Sequence, residues 1–312
     1  MPRVSIVVPC HNAAPFIGRT LDSLRNQTLE DWECVVVDDG SSDDSAGVIC
    51  EYAARDPRIR LLQAINGGVC RARNAGYGAC SPDSACLLFL DADDCLEPDM
   101  LAVLAGHLDL HPNVSLAYSD FTCIDPDDRP IPPGDPRAFP VAATRYVPRR
   151  LGVGTIPVDE PDTPFVSVFS AWAGLLPSCS VLRRSVYADV PGWDEVLGQG
   201  GEDTDVFLHM GLRGAIHYVP RPLVRYRRHA AQDSGDRNKA EAQLRRLYAK
   251  WAHVQGLTAS QQTVVDHARQ FREARVLPHL WFMFGASHIK SGHIIEAARC
   301  YLRGIRQLAR AA

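Results

Sequence analysis

Lysine is scarce in this chain of 312 residues. Among 33 basic residues only Lys239, Lys250 and Lys290 are lysines, so arginine supplies almost all of the positive charge. The formal net charge is −4 and the isoelectric point is about 6.2. Nucleic-acid-binding proteins usually present an excess of basic residues. The composition therefore argues against nucleic acid as a partner, and a bias toward arginine codons explains the lysine shortage without any function.

Long apolar runs and a secretory signal are also missing. The longest candidate span, residues 277–289, is interrupted by Pro278, His279 and His288, whereas a bilayer crossing needs about 20 apolar residues. The ten cysteines include no C-x-x-C pair, and several lie in apolar runs, which is typical of buried thiols in a reducing compartment. We expect a cytoplasmic location, with peripheral attachment to the inner face of the membrane as the alternative.

Several motifs that would define another enzyme class do not occur. The segment after the first apolar run is Pro9-Cys-His-Asn12, and not the G-x-G-x-x-G of dinucleotide-binding folds. Neither a G-x-x-x-x-G-K-[ST] loop nor a G-x-S-x-G elbow is present, which excludes a P-loop NTPase and argues against an α/β-hydrolase. No cysteine or histidine pairing shows a spacing typical of a metal site.

The first 120 residues alternate between short apolar runs and amphipathic segments. This alternation predicts an α/β fold of Rossmann-like type, with a mostly parallel sheet flanked by helices on both faces. Ten of the 22 prolines fall within residues 126–164 and predict a long irregular excursion. The predicted strands are Val4–Val8, Cys34–Val37, Ile59–Leu62, Cys86–Leu90 and Val114–Tyr118.

Residues 236–312 follow a helical apolar period and form a basic tail. This segment holds 13 lysines and arginines against 5 acidic residues, a net charge of +8. Such a tail is suited to an anionic membrane surface, a partner protein or a second copy of the chain. The aromatic cluster in residues 277–284 could contact a membrane, although a buried helix is the simpler interpretation. We expect the tail to be separable from the chemistry.

Carboxylates follow two of the predicted strands. Asp38-Asp39 ends the second strand and Asp91-Ala-Asp93-Asp94 follows the fourth. Ligands of open α/β sheets bind at the carboxyl ends of the strands, and acidic residues that meet there repel each other unless a cation lies between them. Oxygen ligands of this kind suit Mg²⁺ or Mn²⁺ shared with substrate phosphates. Turns favour aspartate without any function, so Asp38 or Asp94 alone is a weak signal. The D-x-D pattern directly after an apolar strand is more specific, and Asp93 within it is the strongest candidate.

Six motifs occur in the order seen in family 2 glycosyltransferases, and residues 3–230 resemble that family. The resemblance implies a GT-A fold and a reaction that inverts the anomeric centre. The motifs are Val4-Ser-Ile-Val-Val-Pro-Cys-His-Asn12, Val35-Val-Val-Asp-Asp-Gly-Ser-Ser42, Asn66-Gly-Gly with Arg71-Ala-Arg-Asn74, Phe89-Leu-Asp-Ala-Asp-Asp94, Gly192-Trp-Asp-Glu195 and Gly201-Glu-Asp-Thr-Asp205.

The resemblance also implies roles for individual residues. Asp39 would accept a hydrogen bond from N3–H of uracil, and Arg71 or Arg73 would approach the base or the diphosphate. Asp93 would bind the metal, and His229 matches a histidine that holds the metal or the diphosphate in some relatives, although a surface histidine is the simpler interpretation. The other residues expected at the nucleotide are Pro9, His11, Asn12, Asn66, Asp91 and Ala92.

The acceptor half of the site is expected around the Gly201-Glu-Asp motif. Asp203 matches the catalytic base of the family, and it also fits an ordinary first-turn acid of a helix. Glu202 is expected to be structural or to touch the acceptor. Trp172 and Trp193 could stack on sugar rings, although core packing is equally natural for both.

These observations together predict a metal-dependent inverting glycosyltransferase that transfers a sugar, most simply from a UDP-sugar, to a hydroxyl of a glycan, glycolipid or glycoprotein. The alternatives are a non-catalytic nucleotide- or sugar-binding subunit of a polysaccharide assembly complex, and a sugar nucleotidyltransferase. The predicted domains are a GT-A domain at 1–235 and a basic helical extension at 236–312. The first comprises a nucleotide-sugar half at 1–120, a proline-rich insertion at 121–170 and an acceptor half at 171–235.

Overall fold

The structure, a computed structural model, describes residues 1–132, 135, 161–169, 175–198, 200–230, 246–276, 289 and 294–311. Eight strands form one sheet in the order β3-β2-β1-β4-β7-β6-β8-β5. The strands are β1 Val4–Cys10, β2 Trp32–Asp39, β3 Ile59–Ala64, β4 Cys86–Phe89, β5 Cys95–Leu96, β6 Val114–Ile124, β7 Ser180–Arg183 and β8 Ala215–Arg227.

The sheet is parallel in its first half and mixed in its second. Strands β1, β2, β3 and β4 pair in parallel, and β6 and β8 also pair in parallel. Strand β7 lies antiparallel between β4 and β6, and β5 pairs antiparallel with the end of β8. The predicted α/β class with a mostly parallel sheet is confirmed, and the antiparallel strands come from the part of the chain with the weaker sequence pattern.

Helices cover both faces of the sheet. Along β1, the side chains of Val4, Ile6 and Val8 face the layer that contains the helices Ala14–Arg25, Ser45–Arg55 and Met100–Leu110. The side chain of Val7 faces the opposite layer, which contains the helix Val69–Ala79. This alternation is the period of two that a strand imposes, and both faces are apolar because both are covered. The named helices are α1 Ala14–Arg25, α2 Ser45–Arg55, α3 Val69–Ala79 and α4 Met100–Leu110, followed by Phe165–Phe169, Arg184–Tyr187, Glu202–Gly211, Ala259–Phe271 and Ile294–Ala311.

Strands β6 and β8 extend well beyond the runs that the sequence indicates. Strand β6 continues to Ile124, inside the predicted insertion, because it pairs with β8 as far as Arg227. Residues 161–163 then return to the free edge of β8, where Asp162 and His217 form an isolated antiparallel bridge. Most of the proline-rich excursion, including residues 136–160, lies outside the described residues.

The helical segment that begins at residue 246 packs against the helix Glu202–Gly211. Leu247 and Trp251 are fully buried in the same core cluster as Val206 and Phe207. The helical period predicted for this segment is therefore present, but the packing crosses the boundary predicted at residue 235. The aromatic cluster of residues 277–284 lies outside the described residues. No helix in the described part of the chain has the length and apolar character needed to cross a bilayer.

All ten cysteines are free thiols, and nine of them are buried, with Cys50 the exposed exception. Burial raises the pKa of Cys10, Cys70 and Cys80 to about 12, so these thiols stay protonated near neutral pH. The interpretation of the cysteines as small apolar core residues is confirmed for these nine.

Candidate active site

A cleft of about 830 Å³ opens at the carboxyl ends of β1, β2 and β4. The sheet register places the ends of these strands side by side, with Cys10 of β1 opposite Asp38 of β2 and Val7 opposite Phe89 of β4. The residues that follow each strand therefore meet at one edge. Twelve residues expected at the site line this cleft: Pro9, His11, Asn12, Asp39, Asn66, Arg73, Asp91, Ala92, Asp93, Glu202, Asp203 and His229.

The side chain of Asp39 is fixed at the end of β2 by the following loop. The backbone N–H groups of Gly67 and Gly68 donate to its two carboxylate oxygens, each at 2.8 Å. Gly68 has a φ of +87°, a conformation that side chains with a Cβ rarely adopt. His11 adds a contact between its Nδ1 and the backbone oxygen of Asp39 at 2.9 Å. Each carboxylate oxygen has a second lone pair and can accept another hydrogen bond from the cleft.

Arg73 lies at the centre of the cleft floor with its side chain only 4% exposed. Its Nη2 donates to Asp91 Oδ1 at 2.8 Å, and its Nη1 contacts Glu202 Oε1 at 3.3 Å. Arg73 therefore joins the D-x-D turn after β4 to the helix Glu202–Gly211. Arg71, the other candidate arginine, is exposed and lies against Gly67, outside the cleft lining.

Trp193 lies in the core beneath Arg73 and not at the cleft surface. Its side chain is buried, its ring centroid is 4.2 Å from the Arg73 guanidinium carbon, and its ring meets Phe89 edge to face. Asn74 holds it in place, because its side chain bonds to both the backbone N–H and the backbone oxygen of Trp193. Of the two alternatives for Trp193, sugar stacking and core packing, its burial beneath Arg73 favours core packing. Trp172 lies outside the described residues.

Glu202 and Asp203 occupy the first turn of the helix Glu202–Gly211 and have different environments. Burial, reinforced by repulsion from Asp203 and opposed by Arg73, raises the pKa of Glu202 to about 7. Burial also raises the pKa of Asp203, while hydrogen bonds from Thr204 oppose the shift. Glu202 is engaged with Arg73 and with the N–H of Gly200, whereas Asp203 is only half-buried and bonds to its neighbour Thr204. Asp203 is thus the carboxylate that a molecule in the cleft can reach.

Asp93 and His229 come together although 136 residues separate them in sequence. His229 Nε2 lies 2.8 Å from Asp93 Oδ2, and the ring of His229 packs against Phe16 at 4.7 Å between centroids. Arg227 sets this arrangement, because its buried side chain donates from Nε to the backbone oxygen of Asp93 at 2.7 Å. A carboxylate oxygen and an imidazole nitrogen this close are a donor pair that fits a divalent cation whose remaining ligands come from a diphosphate.

Sequence reasoning missed the group that anchors the helix Glu202–Gly211. Asp205 is fully buried and accepts from Trp251 Nε1 at 2.8 Å and from Lys250 Nζ at 2.7 Å. Lys250 also reaches Asp194 Oδ2 at 2.8 Å. The available signal was the second aspartate of Gly201-Glu-Asp-Thr-Asp205 together with one of only three lysines, but nothing in the spacing connects positions 205 and 250.

A comparison with known protein families identifies the family of the chain that forms this cleft. The sequence model described as "Glycosyl transferase family 2" matches residues 5–190. The chain belongs to glycosyl transferase family 2. The match covers β1 through the turn before Gly192 and so includes Asp39, Arg73 and the D-x-D turn, while the helix that begins at Glu202 lies beyond it.

Curated relatives of this glycosyltransferase match over about a third of its length or somewhat more. The "Uncharacterized glycosyltransferase EpsJ" of Bacillus subtilis is 43% identical over 100 residues, which is 32% of this chain and 28% of that protein. The chondroitin synthase of Pasteurella multocida is 33% identical over 127 residues, 41% of this chain and 13% of that protein. The chain thus spans less than a third of the length of these relatives.

Solved structures of glycosyltransferases share the fold over almost the whole chain. S. aureus TarS 1-349 in complex with UDP-GlcNAc superposes with a TM-score of 0.64 at 16% identity, covering 100% of this chain and 81% of that one. The mannosyltransferase PcManGT from Pyrobaculum calidifontis, in complex with GDP-Man and Mn²⁺, gives 0.60 at 18% identity, covering 96% and 74%. The predicted GT-A fold is confirmed.

Proposed function

We propose that this glycosyltransferase transfers a sugar from a UDP-sugar to an acceptor hydroxyl by a single displacement that inverts the anomeric centre and depends on a divalent cation. The observation that supports the proposal is that three groups line one cleft: Asp39, the Asp93–His229 pair and Asp203. The two structural relatives are complexes with UDP-GlcNAc and GDP-Man, which supports a nucleotide sugar as donor.

In the proposed complex, Asp93 and His229 hold Mn²⁺ or Mg²⁺. The bound cation would offset the negative charge that develops on the departing diphosphate. Asp91 faces the ribose or the sugar. Burial and the nearby Asp93 raise the pKa of Asp91, and the Arg73 guanidinium opposes that rise. Asn12, Asn66 and Pro9 line the cleft along which the nucleotide lies, and Arg73 is the cleft arginine of the two candidates.

Asp203 removes the proton from the acceptor hydroxyl as it attacks. A base must lie within hydrogen-bond reach of the hydroxyl, and it acts best with a pKa near the working pH. Burial moves the pKa of Asp203 upward from the usual aspartate range, in the direction of that optimum. Glu202 supports this step indirectly, because it contacts Nη1 of Arg73 while Asp91 accepts from Nη2 of the same side chain.

Asp39 selects uracil. Its carboxylate is held rigidly by two backbone N–H groups and can accept from N3–H of the base. Guanine offers an N–H at a different position and needs a larger pocket, so UDP is expected to bind better than GDP. A single hydrogen bond to a charged group contributes roughly 1.5–3 kcal/mol, which corresponds to about a 10- to 150-fold change in affinity.

Donor hydrolysis and nucleotide binding test this proposal. The chain is incubated with a panel of UDP- and GDP-sugars plus Mn²⁺, and UDP affinity is measured for the unmodified protein and for Asp39→Ala. We expect hydrolysis of at least one UDP-sugar and weaker UDP binding by the variant without loss of fold. Equal affinity for GDP and UDP would overturn the uracil assignment.

The same assay separates the two rival functions. A non-catalytic nucleotide- or sugar-binding subunit would bind UDP but release no sugar from any donor. A sugar nucleotidyltransferase would form a nucleotide sugar from a sugar phosphate and a nucleoside triphosphate, with release of pyrophosphate. Either result would replace the proposed transfer reaction.

The C-terminal helix supports an acceptor at a membrane surface. Ile294, Ile295, Leu302 and Ile305 are between 53% and 66% exposed. At about 100° per residue they form one stripe, and Arg299 and Arg306 lie directly beside it. An exposed apolar stripe flanked by arginines is typical of helices that lie on anionic lipid. We therefore propose a lipid-linked glycan or glycolipid acceptor, with the helix docked on anionic lipid.

Co-sedimentation with vesicles of phosphatidylglycerol tests the docking. Leu302→Ser combined with Ile305→Ser is expected to reduce the bound fraction, whereas Val264→Ser, an exposed apolar residue on another helix, leaves it unchanged. If the vesicles do not bind the protein and ultracentrifugation shows that the same double substitution dissociates a dimer, the stripe is an interface between two copies instead.

A further inference from the structure

Three histidines lie together outside the cleft lining. His107 lies in the last turn of α4, His111 is the residue that caps its end, and His217 lies near the start of β8. The ring centroids are 4.4 Å apart for the first pair and 5.2 Å from each of them to His217. His107 Nε2 is 2.9 Å from His217 Nδ1. One nitrogen of each ring lies within 4.8 Å of the others.

Asp162 determines which nitrogen of His217 faces the cluster. Its Oδ1 lies 2.8 Å from His217 Nε2, and an ionised carboxylate can only accept, so Nε2 bears the proton and Nδ1 presents its lone pair to His107. The backbone holds Asp162 in position, because Thr163 donates to the Ile216 oxygen and Tyr218 donates to the Pro161 oxygen, both at 2.7 Å. A histidine that binds a metal usually donates its other ring N–H in this way to a carboxylate.

The cluster is also electrically suited to a cation. A neutral imidazole ring offers one nitrogen lone pair to a cation. His107 and His111 are half-buried and remain accessible, whereas His217 is buried. A tetrahedral zinc ion with nitrogen ligands at about 2.0–2.1 Å keeps those nitrogen atoms about 3.3 Å apart. The nitrogen atoms of the cluster lie 2.9 Å apart for His107 and His217 and within 4.8 Å for all three rings, so ring rotations that move them by roughly 1.5 Å or less reach that spacing.

We propose that His107, His111 and His217 form a binding site for a first-row transition-metal ion that prefers imidazole, such as Zn²⁺, distinct from the active site. None of the three lines the cleft, and Tyr226, which does, is nine residues further along β8. Bound Zn²⁺ would link α4 to β8 and leave a fourth position for water. The sequence signal is the His-x-x-x-His spacing of His107 and His111, and the third ligand lies 106 residues further along the chain, where no local spacing connects it to this pair.

Zinc titration of the full chain tests the proposal. The protein is prepared without an affinity tag, treated with chelator, and titrated by calorimetry at pH 7.5 in the presence of Mg²⁺, in a Cys50→Ser background that removes the exposed thiol. We expect one site with micromolar or tighter affinity. Three His–Zn²⁺ bonds contribute to it, so His111→Gln and His107→Gln should each weaken binding at least about 10-fold.

Asp162→Asn is the more informative variant, because Asp162 would not contact the ion and would act on the site only through its hydrogen bond with His217. It should weaken Zn²⁺ binding by about 10-fold, whereas His267→Gln, an exposed histidine elsewhere, should leave it unchanged. Circular dichroism verifies that each variant is folded. Zinc binding that is absent, or equal in all these variants, would overturn the proposal and leave the cluster as a neutral stack of imidazoles.

Discussion

At the scale of single residues, Arg73 determines the electrostatics of the cleft. Burial alone would lower its pKa, but Asp91 and Glu202 raise it, so the guanidinium stays charged between two carboxylates. A buried charge with paired partners is costly to disrupt, because removal of one partner leaves the others uncompensated. The Trp193 ring under Arg73 adds a cation–π contact. The roles of Glu202 and Asp203 both depend on this arrangement.

Glu202 predicts a dependence of stability on pH. Its folded-state pKa of about 7 lies above the ordinary value of 4.5, so between these values the folded protein holds a proton that the unfolded chain releases. The free energy of unfolding contributed by this group therefore falls as pH rises from 5 to 7, by at most about 1.4 kcal/mol per pH unit. Chemical denaturation at pH 5, 6, 7 and 8 should show a shallower fall for Glu202→Gln, and parallel curves for both proteins would contradict the assignment.

Asp203→Asn should abolish transfer while donor binding stays nearly unchanged. A general base interacts with the acceptor proton only as the new bond forms, so its loss raises the barrier and does not affect ground-state binding. We expect a rate about 10²–10⁴-fold lower, with UDP affinity within about twofold by calorimetry. Asp189→Asn, an exposed aspartate outside the cleft, is the control. Turnover of Asp203→Asn within about threefold of the unmodified enzyme would make Asp203 an ordinary first-turn acid.

The helix Glu202–Gly211 is the element that joins the sheet, the cleft and the tail. Its first turn supplies Glu202 and Asp203 to the cleft, and Asp205 in the same turn binds Lys250 and Trp251 from the tail. The tail therefore positions the helix that carries Glu202 and Asp203. This arrangement opposes the expectation that the tail, residues 236–312, is separable from the chemistry.

Two truncated chains test the contribution of the tail. A chain that ends at residue 240 loses Trp251, whose deletion alone is expected to cost about 3–5 kcal/mol, and leaves Asp205 as a buried charge without Lys250. A chain that ends at residue 276 keeps both contacts. Thermal unfolding should show a large loss of stability for the shorter chain only. Equal stability of the two, with donor hydrolysis retained in both, would show that the tail is separable after all.

Elements with strong local patterns could be predicted from the sequence, and pairings between distant segments could not. Strands β1, β2 and β4 are apolar runs followed by turn residues, so their order and the convergence of Asp39 and Asp91 follow from α/β topology. Strand β5 has only two residues and exists because β8 lies beside it. The partners of Arg73 and of Asp205 are distant in sequence, and no periodicity encodes such contacts.

At the scale of the whole molecule, the two halves of the sheet supply different residues to the cleft. The parallel strands β1 to β4 place Pro9, Asp39 and Asp91 along one wall, and the long β6–β8 pair brings His229 to Asp93 from the other half. The proposed cation therefore lies where the two halves of the sheet meet. It would be held by protein ligands from both and by the diphosphate of the donor.

The most direct test of this account is calorimetry of UDP binding with Mn²⁺ and, separately, with chelator. Because the diphosphate supplies some of the ligands of the cation, each should increase the affinity of the protein for the other by the same factor. We predict at least about 10-fold tighter UDP binding with Mn²⁺, and loss of that difference in Asp93→Asn while the protein remains folded. Equal UDP affinity with Mn²⁺ and with chelator in the unmodified protein would contradict the metal-dependent mechanism.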